Sequence, residues 1–143
     1  MCKTEIYSDE KFITLQKKVL IDLKMTPENI QQKILELPIL YTKYKKLYLD
    51  QRKLLKNINM DMKKLRAKWF HYYKYDTDYR RDTMSEINLY VDGDEEICAL
   101  NVSIDTQEAI VEFLSDTISQ ITKNSYLIRS YVDLEKLRNG IMS

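Results

Sequence analysis

From Ile39 to Tyr75 no Gly or Pro interrupts the chain, and large or apolar side chains follow one another by three or four. They are Leu40, Tyr44, Leu47, Gln51, Leu54, Ile58, Met62, Leu65, Trp69 and Tyr72. That spacing keeps one continuous stripe on an α-helix. A helix of about 35 residues is roughly 50 Å long. A compact chain of 143 residues has a radius of gyration of only about 14–15 Å. A lone domain is therefore expected to leave part of the stripe bare, and self-association of neighbouring copies is the simplest way to bury it.

The same stretch carries most of the positive charge. The whole chain has a net charge of +1, which hides a segregation along its length. Residues 1–40 hold 6 basic and 6 acidic side chains, residues 41–75 hold 11 and 2, and residues 76–143 hold 6 and 14. The segment balances are thus 0, +9 and −8. Lys45, Arg52, Lys56 and Lys63 fall on one ridge of the expected helix, and Lys46, Lys53, Lys64 and Lys68 on its neighbour. A solvated face is the ordinary reading of such ridges. Here only Asp50 and Asp61 answer the positive charges, too few for ion pairing along the helix to account for them. A phosphate-binding ridge is the alternative.

The end of the stretch, Lys63 to Tyr75 (KKLRAKWFHYYKY), mixes six basic residues, His71 included, with five aromatic ones. Cations neutralise phosphates, and flat rings give unstacked bases a surface. Trp69 and Tyr72 continue the apolar stripe and are expected to pack. Phe70 and Tyr73 project elsewhere and are the candidates for base stacking, with Lys74 beside them. His71 has no catalytic partner in the sequence and is expected to be structural or solvent-exposed. The expected nucleic-acid face thus comprises Lys45, Lys46, Arg52, Lys53, Lys56, Lys63, Lys64, Arg66, Lys68, Phe70, Tyr73 and Lys74.

The flanks read as shorter elements of one domain. In residues 1–38, Phe12, Leu15, Val19 and Leu23 define one helix. Thr26-Pro27 starts a second, with Thr26 as N-cap, and Pro38 ends or kinks it. The long basic helix occupies 39–75, and residues 76–86 form a polar connector. Alternation in Ile87–Val91, the turn-forming Asp92-Gly93 and a second run from Ile97 to Ile104 predict a β-hairpin over 87–104. Asp105-Thr106-Gln107-Glu108 reads as a capping box opening a helix through Ile110, Leu114, Ile118 and Ile121. A last helix runs from Ser125 to Arg138 with Leu127, Tyr131, Leu134 and Leu137, and Gly140 follows its end. The expected class is mainly α, with a small hairpin.

Chemistry other than binding finds little support. Cys2, Cys98 and His71 cannot furnish a recognisable zinc site, so no metal or cofactor is expected. Asp92-Gly93-Asp94-Glu95-Glu96 lacks the ligand spacing of a calcium loop and reads as a solvated acidic turn. No glycine-rich phosphate loop and no nucleophile–base pair can be assembled, so an enzyme is not expected. There is no apolar run of about 18 residues and no signal peptide in the polar Met1–Glu10, which points to the cytoplasm and away from membranes.

The order of these features resembles the UvsY family of phage recombination mediators. The resemblance rests on Leu65-Arg66-Ala67-Lys68 closing a long basic helix, Tyr72-Tyr73 shortly after, Ser85-Glu86, Leu100-Asn101-Val102, a capped helix and a short C-terminal helix, from about Tyr41 to Gly140. It implies single-stranded DNA binding and a homo-oligomeric ring of about six to seven subunits. It also implies loading of a RecA-like phage recombinase onto DNA covered by single-strand-binding protein, in the bacterial host cytoplasm. By the same resemblance Arg66, Ala67 and Lys68 belong to the DNA-binding region, and the helix carrying Leu127, Tyr131, Leu134 and Leu137 drives oligomerisation. A reading from another class is a non-enzymatic structural adaptor whose basic helix docks an acidic protein partner.

Overall fold

Spacing by three and four extends beyond the basic segment, and it decides the architecture. The computed structural model describes residues 9–76 and 83–140. Among them lie four α-helices: α1 (Asp9–Asp22), α2 (Ile30–His71), α3 (Met84–Asp92) and α4 (Glu95–Arg138). A π-helical turn, Tyr72–Asp76, continues α2. Residues 77–82 of the expected polar connector lie outside the described residues. Contacts divide the chain into two compact units. One is built on Gln51–Ile110, the other on Ser8–Asp50 with Val111–Ser143.

The unit formed by Gln51–Ile110 has a core of Leu54, Ile58 and Met62 from α2, Ile87 and Val91 from α3, and Ile97 and Ile104 from α4. Leu65, Trp69, Phe70, Tyr73 and Leu100 pack at its edge. The expected hairpin over 87–104 is replaced by helix. Ile87 and Val91 are four apart, as are Leu100 and Ile104, so the apolar residues suit a helical face at least as well as an alternating strand. The Asp-Gly hairpin signal requires a glycine with positive φ, whereas Gly93 sits at φ −87° and ψ −3° and closes α3. The side chain of Thr83 caps the start of α3 by accepting from the Glu86 amide.

The capping box expected at Asp105–Glu108 is likewise corrected. Residues 105–108 lie inside α4, and the helix start is at Asp94, whose carboxylate accepts from the Glu96 amide at 3.0 Å. Thr106 instead donates its hydroxyl back to the Val102 carbonyl. Gln107 is buried and donates both to the Gln51 carbonyl (2.9 Å) and to the Gln51 side-chain oxygen (2.8 Å). Such a buried polar pair restricts how far one helix can slide along the other, because any slip strands the amide without a partner.

In the unit of residues 9–50 and 111–140, the buried hydrophobic residues are Leu15 and Val19 of α1, Leu37, Leu40 and Tyr44 of α2, and Leu114, Ile121 and Ile128 of α4. Phe12 meets Phe113 edge-on, with ring centroids 5.7 Å apart. The end of α1 is pinned by polar contacts. Tyr44 donates its hydroxyl to Asp22 Oδ2 at 2.6 Å, Lys43 reaches the same oxygen at 3.1 Å, and Lys33 donates to the Asp22 carbonyl. Helix α2 begins after Asn29, not at Pro27. Asn29 and Thr26 exchange hydrogen bonds in the preceding turn, and Asn29 takes the cap position expected of Thr26. Pro38 does not end the helix. At the other terminus α4 closes as expected, with Gly140 at φ 67°, a conformation that favours glycine.

The stripe on α2 is covered largely within the chain. Leu40, Tyr44, Gln51, Leu54, Ile58 and Met62 are buried, Leu47, Leu65 and Trp69 are half-buried, and Tyr72 is exposed. Residues 95–138 form one uninterrupted helix, and in the unit of Gln51–Ile110 its Ile97 and Ile104 share the cover with Ile87 and Val91 of α3. The long α2 helix is thus no reason by itself for self-association.

Candidate nucleic-acid interface

With one face of α2 occupied by core, the residues between those positions must turn outward. Arg52, Lys53, Lys56, Lys63, Lys64, Lys68 and Lys74 are all exposed in the unit of Gln51–Ile110. In the other unit Lys46 is exposed and Lys45 is half-buried. Among the described residues, none of these nine cations has a carboxylate within ion-pair distance. Ion pairs among the described residues include Lys33–Glu36, Lys43–Asp22, Arg66–Asp92, His71–Asp76 and Arg138–Glu135. A cationic row without carboxylate partners holds mobile counterions, which a polyanion can displace with a gain in entropy.

The row also has shape. Arg52, Leu55, Lys56, Asn59, Met60 and Lys63 line a shallow groove of about 350 Å³ on the outer side of α2. Its lining combines three cations, the half-buried Leu55, the exposed Met60 and the Asn59 amide, which offers both a donor and an acceptor. A comparable groove of about 340 Å³ in the other unit holds Tyr41, Thr42, Lys45, Lys46, Leu49 and Asp50. A lining of cations and apolar side chains together suits a strand that presents phosphates and unstacked bases. Leu55, Asn59 and Met60 were absent from the sequence-based set. For Leu55 and Met60 the signal was an apolar pair lying off the main stripe, in step with Arg52 and Lys56; nothing in the pattern marked Asn59.

The basic–aromatic end of α2 is organised by the acidic turn between α3 and α4. Arg66 Nη2 lies 2.7 Å from Asp92 Oδ1. The Trp69 indole donates to Glu96 Oε2 at 3.2 Å, and the Tyr73 hydroxyl donates to Asp94 Oδ2 at 2.9 Å. Residues 66, 69 and 73 share a helix face, so one short acidic segment engages all three. The turn read from sequence as merely solvated therefore carries three side-chain contacts. Nothing in local spacing signals them, since the partners are 21 to 27 residues apart.

The rings are distributed differently from the sequence-based set. Trp69, Phe70 and Tyr73 all pack at the edge of the core, while Tyr72 and Tyr75 are exposed. Trp69 stacks edge-on against Tyr72 at 5.1 Å, and Tyr73 lies 5.8 Å from Tyr90. Lys68 sits over the Trp69 ring at 5.1 Å, and Lys74 over Tyr75 at 5.1 Å and Phe70 at 6.0 Å. His71 is exposed beside Tyr75, with Nδ1 3.6 Å from Asp76. The expected oligomerisation residues Leu127, Tyr131, Leu134 and Leu137 are exposed in the single chain, and none of them enters the core.

Among the described residues no group of His, Cys, Asp or Glu could hold a metal ion. No described helix is long and apolar enough to cross a membrane.

Comparison with known proteins places this arrangement. The family model described as "Recombination, repair and ssDNA binding protein UvsY" matches residues 3–141. No curated protein matches the sequence. Among solved structures, the fold is similar to crystal structures of the bacteriophage T4 recombination mediator protein UvsY. Its lattice type II form aligns with a TM-score of 0.79 at 17% identity, covering 89% of this chain and 96% of that one. Lattice types IV and I give 0.78 at 17% and 0.78 at 18%, covering 88% and 87% of this chain and 97% and 98% of those chains. At such identity the likeness to the phage T4 structures is one of fold, and the family pattern reaches nearly end to end: the chain belongs to the UvsY family.

Proposed function

We propose that this chain is a single-stranded DNA-binding recombination mediator that works without catalysis. In this reading it helps load a RecA-like phage recombinase onto DNA covered by single-strand-binding protein, in the cytoplasm of the infected host. The observation that carries the reading is the row of exposed cations on α2 with no carboxylate partner among the described residues. The family's description as recombination, repair and ssDNA binding proteins supports the same ligand.

Lys56, Lys63 and Arg52 hold the phosphates along the outer groove, with Leu55 and Met60 against the bases. Lys53, Lys64, Lys68 and Lys74 broaden the positive field, and Lys45 and Lys46 supply a second basic groove. Binding is indifferent to base sequence, because phosphates carry no sequence information. Copies associate through the exposed row Leu127, Tyr131, Leu134 and Leu137, and repeated ridges around the ring bind one strand by avidity. A strand drawn onto the ring is loosened from its single-strand-binding protein and offered to the recombinase.

The test is a titration of fluorescent oligo-dT at several salt concentrations. Lys56→Ala with Lys63→Ala should weaken binding and flatten the log K against log salt line by about 0.7 per lost phosphate contact. Both side chains are exposed, so the fold is expected to survive. Equal affinity and equal slope in the double variant would remove the groove from the site.

A further inference from the structure

Arg66, among the cations at the basic–aromatic end of α2, already has a carboxylate partner. Arg66 lies 2.7 Å from Asp92, while its neighbours Lys63, Lys64 and Lys68 have no carboxylate within reach among the described residues. The position of Asp92 is informative. It is the last residue of α3, where the helix dipole disfavours a negative charge. The other acids of the turn have helix-stabilising work: Asp94 caps α4, and Glu96 sits in its first turn, where negative charge is favoured. Asp92 does neither, and its carboxylate faces the guanidinium.

Resting on the single-stranded DNA reading above, we infer that Asp92 is a latch occupying Arg66 in the unbound protein, which a DNA phosphate must displace to gain the arginine. A guanidinium presents the same donor fork to a carboxylate as to a phosphate, so the two anions compete for one site. The pair is open to solvent, with Arg66 at 37% and Asp92 at 60% side-chain exposure. Exposed pairs of this kind are weak, which makes the exchange feasible. Trp69 on Glu96 and Tyr73 on Asp94 hold that face of α2 against the turn. The exchange therefore needs a side-chain movement and no displacement of the helix. The outcome is a binding surface whose central arginine is screened from adventitious anions and recruited by a strand already held on Lys63 and Lys64.

The test is a double-variant cycle on the full chain with oligo-dT as probe, thermal unfolding confirming the fold of each variant. Asp92→Asn should bind about two- to fivefold tighter at low salt, the range set by the strength of an exposed pair. Asp92→Ala should do the same without offering Arg66 an acceptor. Arg66→Ala should weaken binding less in the parent than in the Asp92→Asn background, where it removes the whole of the gain. Unchanged or weaker binding by both Asp92 variants, or an equal loss from Arg66→Ala in both backgrounds, overturns the latch. If those results come with binding that depends on Lys56 and Lys63, the latch alone falls. If neither the unsubstituted chain nor Asp92→Asn binds, the DNA reading falls with it.

Discussion

Replacing Tyr44 by Phe removes one oxygen from the pin that fastens α1, and the structure sets the size of the loss. Tyr44 is fully enclosed, and its hydroxyl donates to Asp22 Oδ2 at 2.6 Å. Burial pushes the Asp22 carboxyl up. Hydrogen bonds from Tyr44 and Lys43, with the charges of Lys43 and Lys18, outweigh burial and hold it below its usual value. For the Tyr44 hydroxyl, burial and the adjacent Asp22 both push its pKa well above the ordinary tyrosine value. A hydrogen bond to a charged group contributes about 1.5–3 kcal/mol. Asp22 keeps Lys43 at 3.1 Å and some access to water, so the expected loss lies at or just below the lower end of that range, about 1–2 kcal/mol.

The sign of the pH dependence follows from the two shifts. A carboxyl with a depressed folded pKa adds stability above its unfolded value of about 4, and the contribution is lost as pH falls through the folded value. A hydroxyl with a raised folded pKa adds stability below about 10, lost as pH rises through its folded value. The pin is therefore strongest between about pH 4 and 10. Urea unfolding of the parent, Tyr44→Phe, Asp22→Asn and the double variant, at pH 7 and again at pH 2, measures the coupling. The pair should show an interaction energy at pH 7 that shrinks at pH 2. Additive single variants at pH 7, or the same Tyr44→Phe loss at both pH values, would refute the charged hydrogen bond as the source.

Two further outcomes are expected. Gly93→Ala should leave stability unchanged or raise it by up to about 1 kcal/mol, because the glycine has an ordinary helical φ and an added Cβ meets only Leu89 and Tyr90 carbonyls at 3.6 and 3.8 Å. A thermal midpoint lowered by several degrees would instead indicate a turn that needs glycine. Leu134→Asp with Leu137→Asp should keep the circular dichroism of the parent, since both residues are exposed, while light scattering reports a smaller species and oligo-dT affinity falls. An oligomer of unchanged mass would exclude this row as the assembly surface.

Much of the site was legible because it depends on one helix. Spacing by three and four put Lys45, Arg52, Lys56 and Lys63 on the side away from Leu54, Ile58 and Met62, and the structure keeps them apart in that way. Helical periodicity is a local property, and an outward charge needs no distant partner to be recognised. The same reasoning failed over 87–104, where short apolar runs and Asp-Gly fit strand and helix alike. Ile97, Ile104, Ile110 and Leu114 settle the matter only when residues 95–128 are read as one pattern.

What the sequence determined by itself was the separation of charge and the polarity of α2: a buried stripe, an exposed basic row and an aromatic end. Tertiary structure alone decided which members of that row are free. Arg66, Trp69 and Tyr73 meet Asp92, Glu96 and Asp94 because α3 and α4 fold back onto the end of α2, bringing together residues 21 to 27 positions apart. Periodicity reports which face a residue takes on its own helix. It carries no information about the acid that another segment lays against that face, and so the division of the basic end into engaged and available groups appears only in the folded chain.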